Sequence, residues 1–282
     1  MTTSTDELVV GQIGSYLDSA DSEWWREQLA AGDLKRDVGV NKERWLACAS
    51  GADDEVRRGA EDAFSGLAPN VGDTGITGTH HISREDLRTA SMEATDDVGN
   101  VRLFTLTMLW GNGTHTRWGP GNLKTALSDA RLPSTLDSTR TAVRTLDFRQ
   151  AYRGFSRTKR IGVGEAFFSK WFWACSLASP QKEITPLILD SRVQNTLARL
   201  GFSLREAADS KRAEDCYLEY INAVNRWAQA ISTRKLATTA EHVEWLMFCK
   251  GPKSLNDWLR RAHSQAEIDA VMVPANSRNA WE

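Results

Sequence analysis

Apolar positions recur at three- and four-residue spacing along most of this chain, the pattern of helices that bury one face and show the other to water. The period predicts helical segments near 23–31, 42–50, 53–66, 83–92, 101–110, 122–131, 136–146, 165–178, 191–200, 213–233, 238–249 and 254–263. Strand-like alternation is almost absent. The clearest extended run, Ile184 to Leu189, is short, contains Pro186 and ends in Asp190, so it reads as a connection between helices. Clusters of Gly, Asn and Thr around 69–79 and 111–121 mark loops, and there are no internal repeats or low-complexity stretches. The expected architecture is an all-α globule of roughly ten to twelve helices. Its expected seam lies at 69–79, between a helical region at 1–70 and a helical core at 71–282.

Composition adds three constraints. With 282 residues, 41% hydrophobic and 26% charged, the chain can bury a substantial core. It carries 11 Trp, several of them close in sequence (Trp24 and Trp25, Trp110 and Trp118, Trp171 and Trp173), which can fill a core or offer stacking surface to bases. No apolar run approaches the roughly 18 residues of a membrane span. The opening MTTSTDELVV also lacks the basic and apolar regions of a secretory signal, so a cytoplasmic protein is expected. Cys48, Cys175, Cys216 and Cys249 are scattered, without metal-ligand spacing. Free thiols, no metal and no cofactor are therefore expected.

Net charge is −2, yet the charge is segregated: residues 1–100 carry 9 Lys and Arg against 20 Asp and Glu, and residues 101–282 carry 26 against 17. The first third is acidic. The densest basic stretch runs from Arg131 to Arg160 and holds Arg140, Arg144, Arg149, Arg153, Arg157 and Lys159, opposed only by Asp137 and Asp147. Such a stretch suits phosphate neutralisation, and equally an ordinary solvated helix face.

Three features in order carry the chemistry. Arg160-Ile161-Gly162-Val163-Gly164-Glu165 stands between two helical segments. Glycines there allow a tight turn and close approach, and the amides opening the next helix can grip an anion. The helix that follows is apolar around nearly its whole circumference, with Lys170 as its only basic residue. An amine among Phe167, Phe168, Trp171, Phe172 and Trp173 loses hydration, which favours its neutral, nucleophilic form. Its alternatives are a lysine that snorkels to the surface or one that contacts phosphate. Asp190 then stands at the start of the helix Ser191-Arg-Val-Gln-Asn-Thr-Leu, as an N-cap or as a fixed negative charge beside a cationic sugar. Each feature has an ordinary structural explanation, and their order is more selective than any one of them.

That order resembles the helix-hairpin-helix DNA glycosylases, specifically bacterial proteins with the 8-oxoguanine DNA glycosylase fold. GVGEAFFSKWFWA followed by PLILDSRVQNTLARLG looks like that family's hairpin, lysine helix and aspartate helix. The segment from Trp110 through Trp118-Gly119-Pro120 is similar to its WG...GP loop. The resemblance is specific over about 101–201. It implies a helix-hairpin-helix glycosylase fold with the hairpin near 160–175, double-stranded DNA as partner, and excision of a flipped base, 8-oxoguanine-like or phage-hypermodified. It further implies Lys170 and Asp190 as catalytic residues, with or without β-lyase strand cleavage. DNA contacts would come from Arg153, Arg157, Lys159, Arg160, Gly162, Val163 and Gly164, and a base pocket from Trp110, Trp118, Gly119, Pro120 and Trp171. In eukaryotic members the lysine follows the last hairpin glycine almost directly, a position held here by Ala166. Lys170 lies one turn later on nearly the same face, about 6 Å along the axis, and resembles the archaeal branch in this.

Other residues carry weaker signals. His80-His81 reads as a polar loop pair without a third ligand, and His115 as a solvated loop residue by default, with substrate contact as its alternative. Tyr217, Tyr220 and Trp227 read as core packing, and Tyr152, Arg153 and Phe155 as DNA-facing. A catalytically inactive DNA-binding protein of the same fold and a helical protein-interaction module remain the alternatives, and a monomer is expected.

Overall fold

The computed structural model describes residues 4–30, 37–69, 78–113, 119–156, 162–178, 184–232 and 238–262, the side chains of 28–30 excepted. Among them are fourteen α-helices. In chain order these are α1 (Thr5–Asp18), α2 (Glu23–Ala30), α3 (Asp54–Ser65), α4 (Arg84–Glu93), α5 (Asp97–Asn112), α6 (Gly119–Leu127) and α7 (Leu132–Arg144). They continue as α8 (Phe148–Ser156), α9 (Glu165–Ser176), α10 (Ser191–Arg199), α11 (Leu204–Ala207), α12 (Ala213–Ser232), α13 (Ala240–Phe248) and α14 (Leu255–Ala262). The protein is an all-α globule, as its apolar period predicts. It also carries one small antiparallel sheet of β1 (Val38–Val40), β2 (Ala68–Pro69) and β3 (His80–Ile82), in the order β1-β3-β2. Val38 pairs with Ile82, Gly39 and Ala68 both pair with His81, and Val40 and Pro69 both pair with His80. His80 and His81 are therefore residues of a central strand, where a loop is expected from sequence.

Several helices differ from the sequence expectation for identifiable reasons. Helix α1 contains Gly11 and Gly14, which weaken a helical pattern. A reciprocal capping box offsets this, with Ser4 Oγ accepting from the Glu7 amide at 3.2 Å and Glu7 accepting from the Ser4 amide at 2.9 Å. The helix then buries Val9, Val10, Ile13, Tyr16 and Leu17. The segment 42–50 forms two short 3₁₀ turns, Lys42–Arg44 and Leu46–Ala49, instead of one α-helix. They flank Trp45, whose ring is fully buried.

The chain divides into two compact units, Lys35–Pro186 and Met1–Leu34 with Leu187–Glu282. The stretch 69–79 falls inside the first, and residues 1–70 are shared between the two.

In the unit Lys35–Pro186, α5 is the central helix, packed by α3, α4, α6, α7 and α9. Close approach to α3 depends on Gly59, where a Cβ would lie 2.5 Å from the Val98 carbonyl oxygen and 2.9 Å from Val101 Cβ. The buried Arg140 of α7 ties α4 to α5, donating to Asn100 Oδ1 at 3.1 Å and to the Ser91 carbonyl at 3.2 Å. Burial pushes this guanidinium below its ordinary pKa.

In the other unit, α12 packs against α1, α11 and α13, and α10 against α13 and α14. Long-range hydrogen bonds fix the register: Tyr16 Oη and Trp24 Nε1 both donate to the Lys253 carbonyl, at 2.7 and 2.8 Å. Trp227 Nε1 donates to Asp6 at 2.8 Å.

Two glycine substitutions should separate these roles. Gly59→Ala should cost about 1–3 kcal/mol, because backbone and a β-branched side chain stand where the methyl would go. Gly11→Ala, with nothing within 4 Å, should gain about 0.5–1 kcal/mol. Thermal melts should shift in opposite directions; equal shifts would contradict this packing.

Candidate active site

The turn that opens α9 is shaped by its two glycines in different ways. Gly162 has φ +72°, a left-handed conformation that favours glycine, and a Cβ there would press on Thr125 Cγ2 of α6 at 3.2 Å. Gly164 is the exposed N-cap of α9, caps with no side chain, and has open space where a Cβ would stand. Val163 between them is half-buried. Gly164 is thus exposed at the opening of α9, where the first amides of the helix begin. Its first residue, Glu165, accepts a hydrogen bond from Tyr152 Oη of α8 at 2.6 Å, which ties the two helices across the turn. Arg157, Lys159, Arg160, His115 and Trp118 lie outside the described residues.

The face of α8 that meets α9 is aromatic. Tyr152 packs edge-on to Phe168 at 4.9 Å, and Phe155 stacks on Phe168 at 5.6 Å and meets Phe172 at 5.9 Å. Tyr152 and Phe155 are both buried, so they hold the hairpin from within; the expectation that they face DNA is corrected. Arg153, on the same helix, is half-buried.

Helix α9 is buried continuously from Phe168 to Ser176, Lys170 included. At 7% exposure the lysine does not snorkel into bulk water. Its Nζ donates to the Ala166 carbonyl at 2.9 Å and lies 5.3 Å from the centre of the Phe167 ring. Its stem crosses Gly111 of α5, where a Cβ would lie 2.9 Å from Lys170 Cδ and 3.0 Å from Phe167 Cε1. The glycine after Trp110 therefore makes the channel in which this side chain lies.

The residues expected to form a base pocket separate into two groups. Trp171 is fully buried, donates from Nε1 to Thr139 Oγ1 at 3.0 Å and packs edge-on to Phe104 at 6.0 Å. It is a packing residue, and the pocket assignment does not extend to it. Trp110 stacks on Trp173 at 5.2 Å, and the Arg84 guanidinium lies 4.9 Å over Trp173 and 6.0 Å from Trp110. Sequence reasoning missed Arg84, because a cation that opens a helix 26 residues before Trp110 carries no local sign of its partner. Gly119 is buried where a Cβ would meet Trp45 Cη2 at 2.5 Å, and the Pro120 carbonyl accepts from Cys48 Sγ at 3.3 Å.

In the other unit, Asp190 is the N-cap of α10. Its Oδ1 accepts from the Arg192 amide at 2.9 Å and from the Val193 amide at 3.1 Å. Its Oδ2 accepts no hydrogen bond from the described residues. One oxygen is thereby locked by the helix. The approach to Asp190 is extended, so its carbonyls have no helical partners, and two tyrosines of α12 supply them. Tyr217 Oη donates to the Leu187 carbonyl and Tyr220 Oη to the Ile188 carbonyl, both at 2.9 Å. Burial raises the Tyr220 hydroxyl well above its ordinary pKa, with the negative charges of Glu244 and Asp190 adding to the shift, so it stays a donor. The tyrosines read from sequence as core packing are fully buried and also hold the segment that delivers Asp190. The signal available was their spacing of three, on a helix facing a proline-containing extended run.

Among the described residues no group of three or more His, Cys, Asp or Glu could hold a metal ion, and no helix is long and apolar enough to cross a membrane. The four cysteines are free thiols. A family model described as "Putative 8-oxoguanine DNA glycosylase OGG-like protein" matches residues 20–248. No curated protein and no solved structure matches the chain.

Tyr220→Phe should cost about 1–3 kcal/mol, since it leaves the buried Ile188 carbonyl unpaired. Denaturant unfolding measures it, and a change below about 0.5 kcal/mol would show that the bond does not hold the Asp190 approach.

Proposed function

Because this chain belongs to the 8-oxoguanine DNA glycosylase OGG-like family, we propose that it excises a damaged or modified base from duplex DNA, with Lys170 as nucleophile and Asp190 as the fixed carboxylate. The observation that carries the reading is the lysine: a buried amine one turn into the helix that the Gly162–Gly164 turn opens. The carboxylate supports it, with Oδ1 held by two amides. Double-stranded DNA is the partner.

In the proposed reaction the target nucleotide leaves the stack. The lone pair of Lys170 Nζ forms a bond to the anomeric carbon, and the glycosidic bond breaks with its electron pair going to the departing base, which takes up a proton. The family resemblance assigns to Asp190 the offset of the charge developing on the sugar, and a base takes up the proton released from the new C–N bond. To attack, Nζ exchanges the Ala166 carbonyl for the sugar by rotating about a stem lodged against Gly111. Ring opening gives an imine, from which β-elimination cleaves the strand. The substrate is an 8-oxoguanine-like purine or a hypermodified phage base; the resemblance to anti-phage glycosylases supports the second as it does the first.

A panel of duplexes carrying 8-oxoguanine, unmodified DNA and phage DNA with modified cytosines, scored for abasic sites, tests the reading. Abasic sites should form on a modified DNA and not on the unmodified one. Asp190→Asn should slow single-turnover excision by about 10²–10⁴-fold. Binding without abasic product on any DNA would overturn the assignment in favour of an inactive DNA-binding protein.

Gly111→Ala should displace the Lys170 stem and slow excision about 10²-fold, at a smaller loss of stability than Gly59→Ala, since the obstructing atoms are side-chain atoms able to shift. Excision at the unaltered rate would show that the glycine does not position the amine.

A further inference from the structure

We propose that a cleft between α7 and α8 is a second DNA contact, one that receives a backbone phosphate of the duplex. This rests on DNA being the substrate, as proposed above. The cleft has a volume of about 430 Å³ and is lined by Ser138 of α7, Asp147 at the corner, and Arg149, Gln150, Arg153 and Gly154 of α8. Arg149 and Arg153 are four residues apart and share one face of their helix. Two guanidiniums and a side-chain amide give the lining donors suited to an anionic oxygen, while the Ser138 hydroxyl already donates to the Thr135 carbonyl at 3.2 Å. The one carboxylate, Asp147, caps α8 by accepting from the Gln150 amide at 2.9 Å, so part of its accepting capacity is already used. The floor is closely packed: a Cβ on Gly154 would lie 2.5 Å from Thr139 Cγ2, and Thr139 in turn accepts from the Trp171 indole at 3.0 Å.

A second observation selects a DNA strand over a free anion. Leu146, the residue before Asp147 at the α7–α8 corner, has φ +61° and is 49% exposed. A left-handed leucine costs about 1–2 kcal/mol that glycine would not. Together these present a large apolar side chain to solvent at a strained position, the kind of feature found where a ligand is met. A free phosphate would use the arginines and leave the leucine without a role. A DNA strand offers both anionic oxygens and the apolar faces of sugars and bases. Helix α8 is tied to the helix that the Gly162–Gly164 turn opens by the 2.6 Å hydrogen bond from Tyr152 to Glu165, so cleft and turn belong to one packed helix pair.

Fluorescence anisotropy with a 20-bp duplex at several salt concentrations tests the proposal. The slope of log affinity against log salt should fall by about one for Arg149→Ala and be restored by Arg149→Lys, which keeps the charge. Leu146→Gly should keep the slope, raise or preserve the melting temperature, and weaken binding several-fold, so a loss of affinity there is not a loss of folding. A slope unchanged in Arg149→Ala overturns the proposal, as does failure of the unaltered protein to bind the duplex. Scoring abasic sites on the same duplexes keeps the two readings apart. Excision with an unchanged slope defeats the cleft alone, and a reduced slope with no excision on any DNA defeats the glycosylase and leaves the cleft standing.

Discussion

Because helix α9 is buried from Phe168 through Ser176, each neighbouring helix must give it a partner. Helix α8 meets it with Phe155 and Tyr152, α7 with the Thr139 hydroxyl, and α5 with Phe104 and Gly111. A lysine placed in such a helix is largely screened from water. It folds back along its own helix to the Ala166 carbonyl, and Gly111 makes room for the stem. The same packing that secures the core thus sets where the amine stands.

The carboxylate is held by a complementary device. An extended peptide with buried carbonyls is costly unless something donates to them, and Tyr217 and Tyr220 do so from α12. Asp190 then spends one oxygen on the first amides of α10. Each of the two groups proposed to act is positioned by hydrogen bonds to backbone, Lys170 at the Ala166 carbonyl and Asp190 at the amides of Arg192 and Val193.

Much of this was legible in the sequence. Helices α3, α9, α10, α12 and α13 fall within a few residues of their apolar period, and Asp190 caps α10 as its place before Ser191 implies. The order of turn, lysine helix and aspartate helix was enough to carry the family resemblance. What escaped was decided at long range. The strands are two or three residues long, and β1 lies 40 or more positions from its partner β3, so no alternation announces them. Trp45 interrupts 42–50 because its ring is required against Gly119, in a different part of the chain. Trp171 and Trp173 are two residues apart in one apolar helix, yet one turns to Thr139 and the other to Trp110. Periodicity reports that a side chain is buried; which neighbour it meets depends on the helix brought to that face.

The central claim is that Lys170 is the nucleophile, and the most direct measurement is to capture it in the act. Borohydride added during reaction with a modified duplex, followed by proteolysis and mass spectrometry, identifies the lysine that carries the reduced sugar. The account predicts the adduct on the peptide containing Lys170. An adduct on any other lysine, or base excision without a trappable adduct, would contradict it.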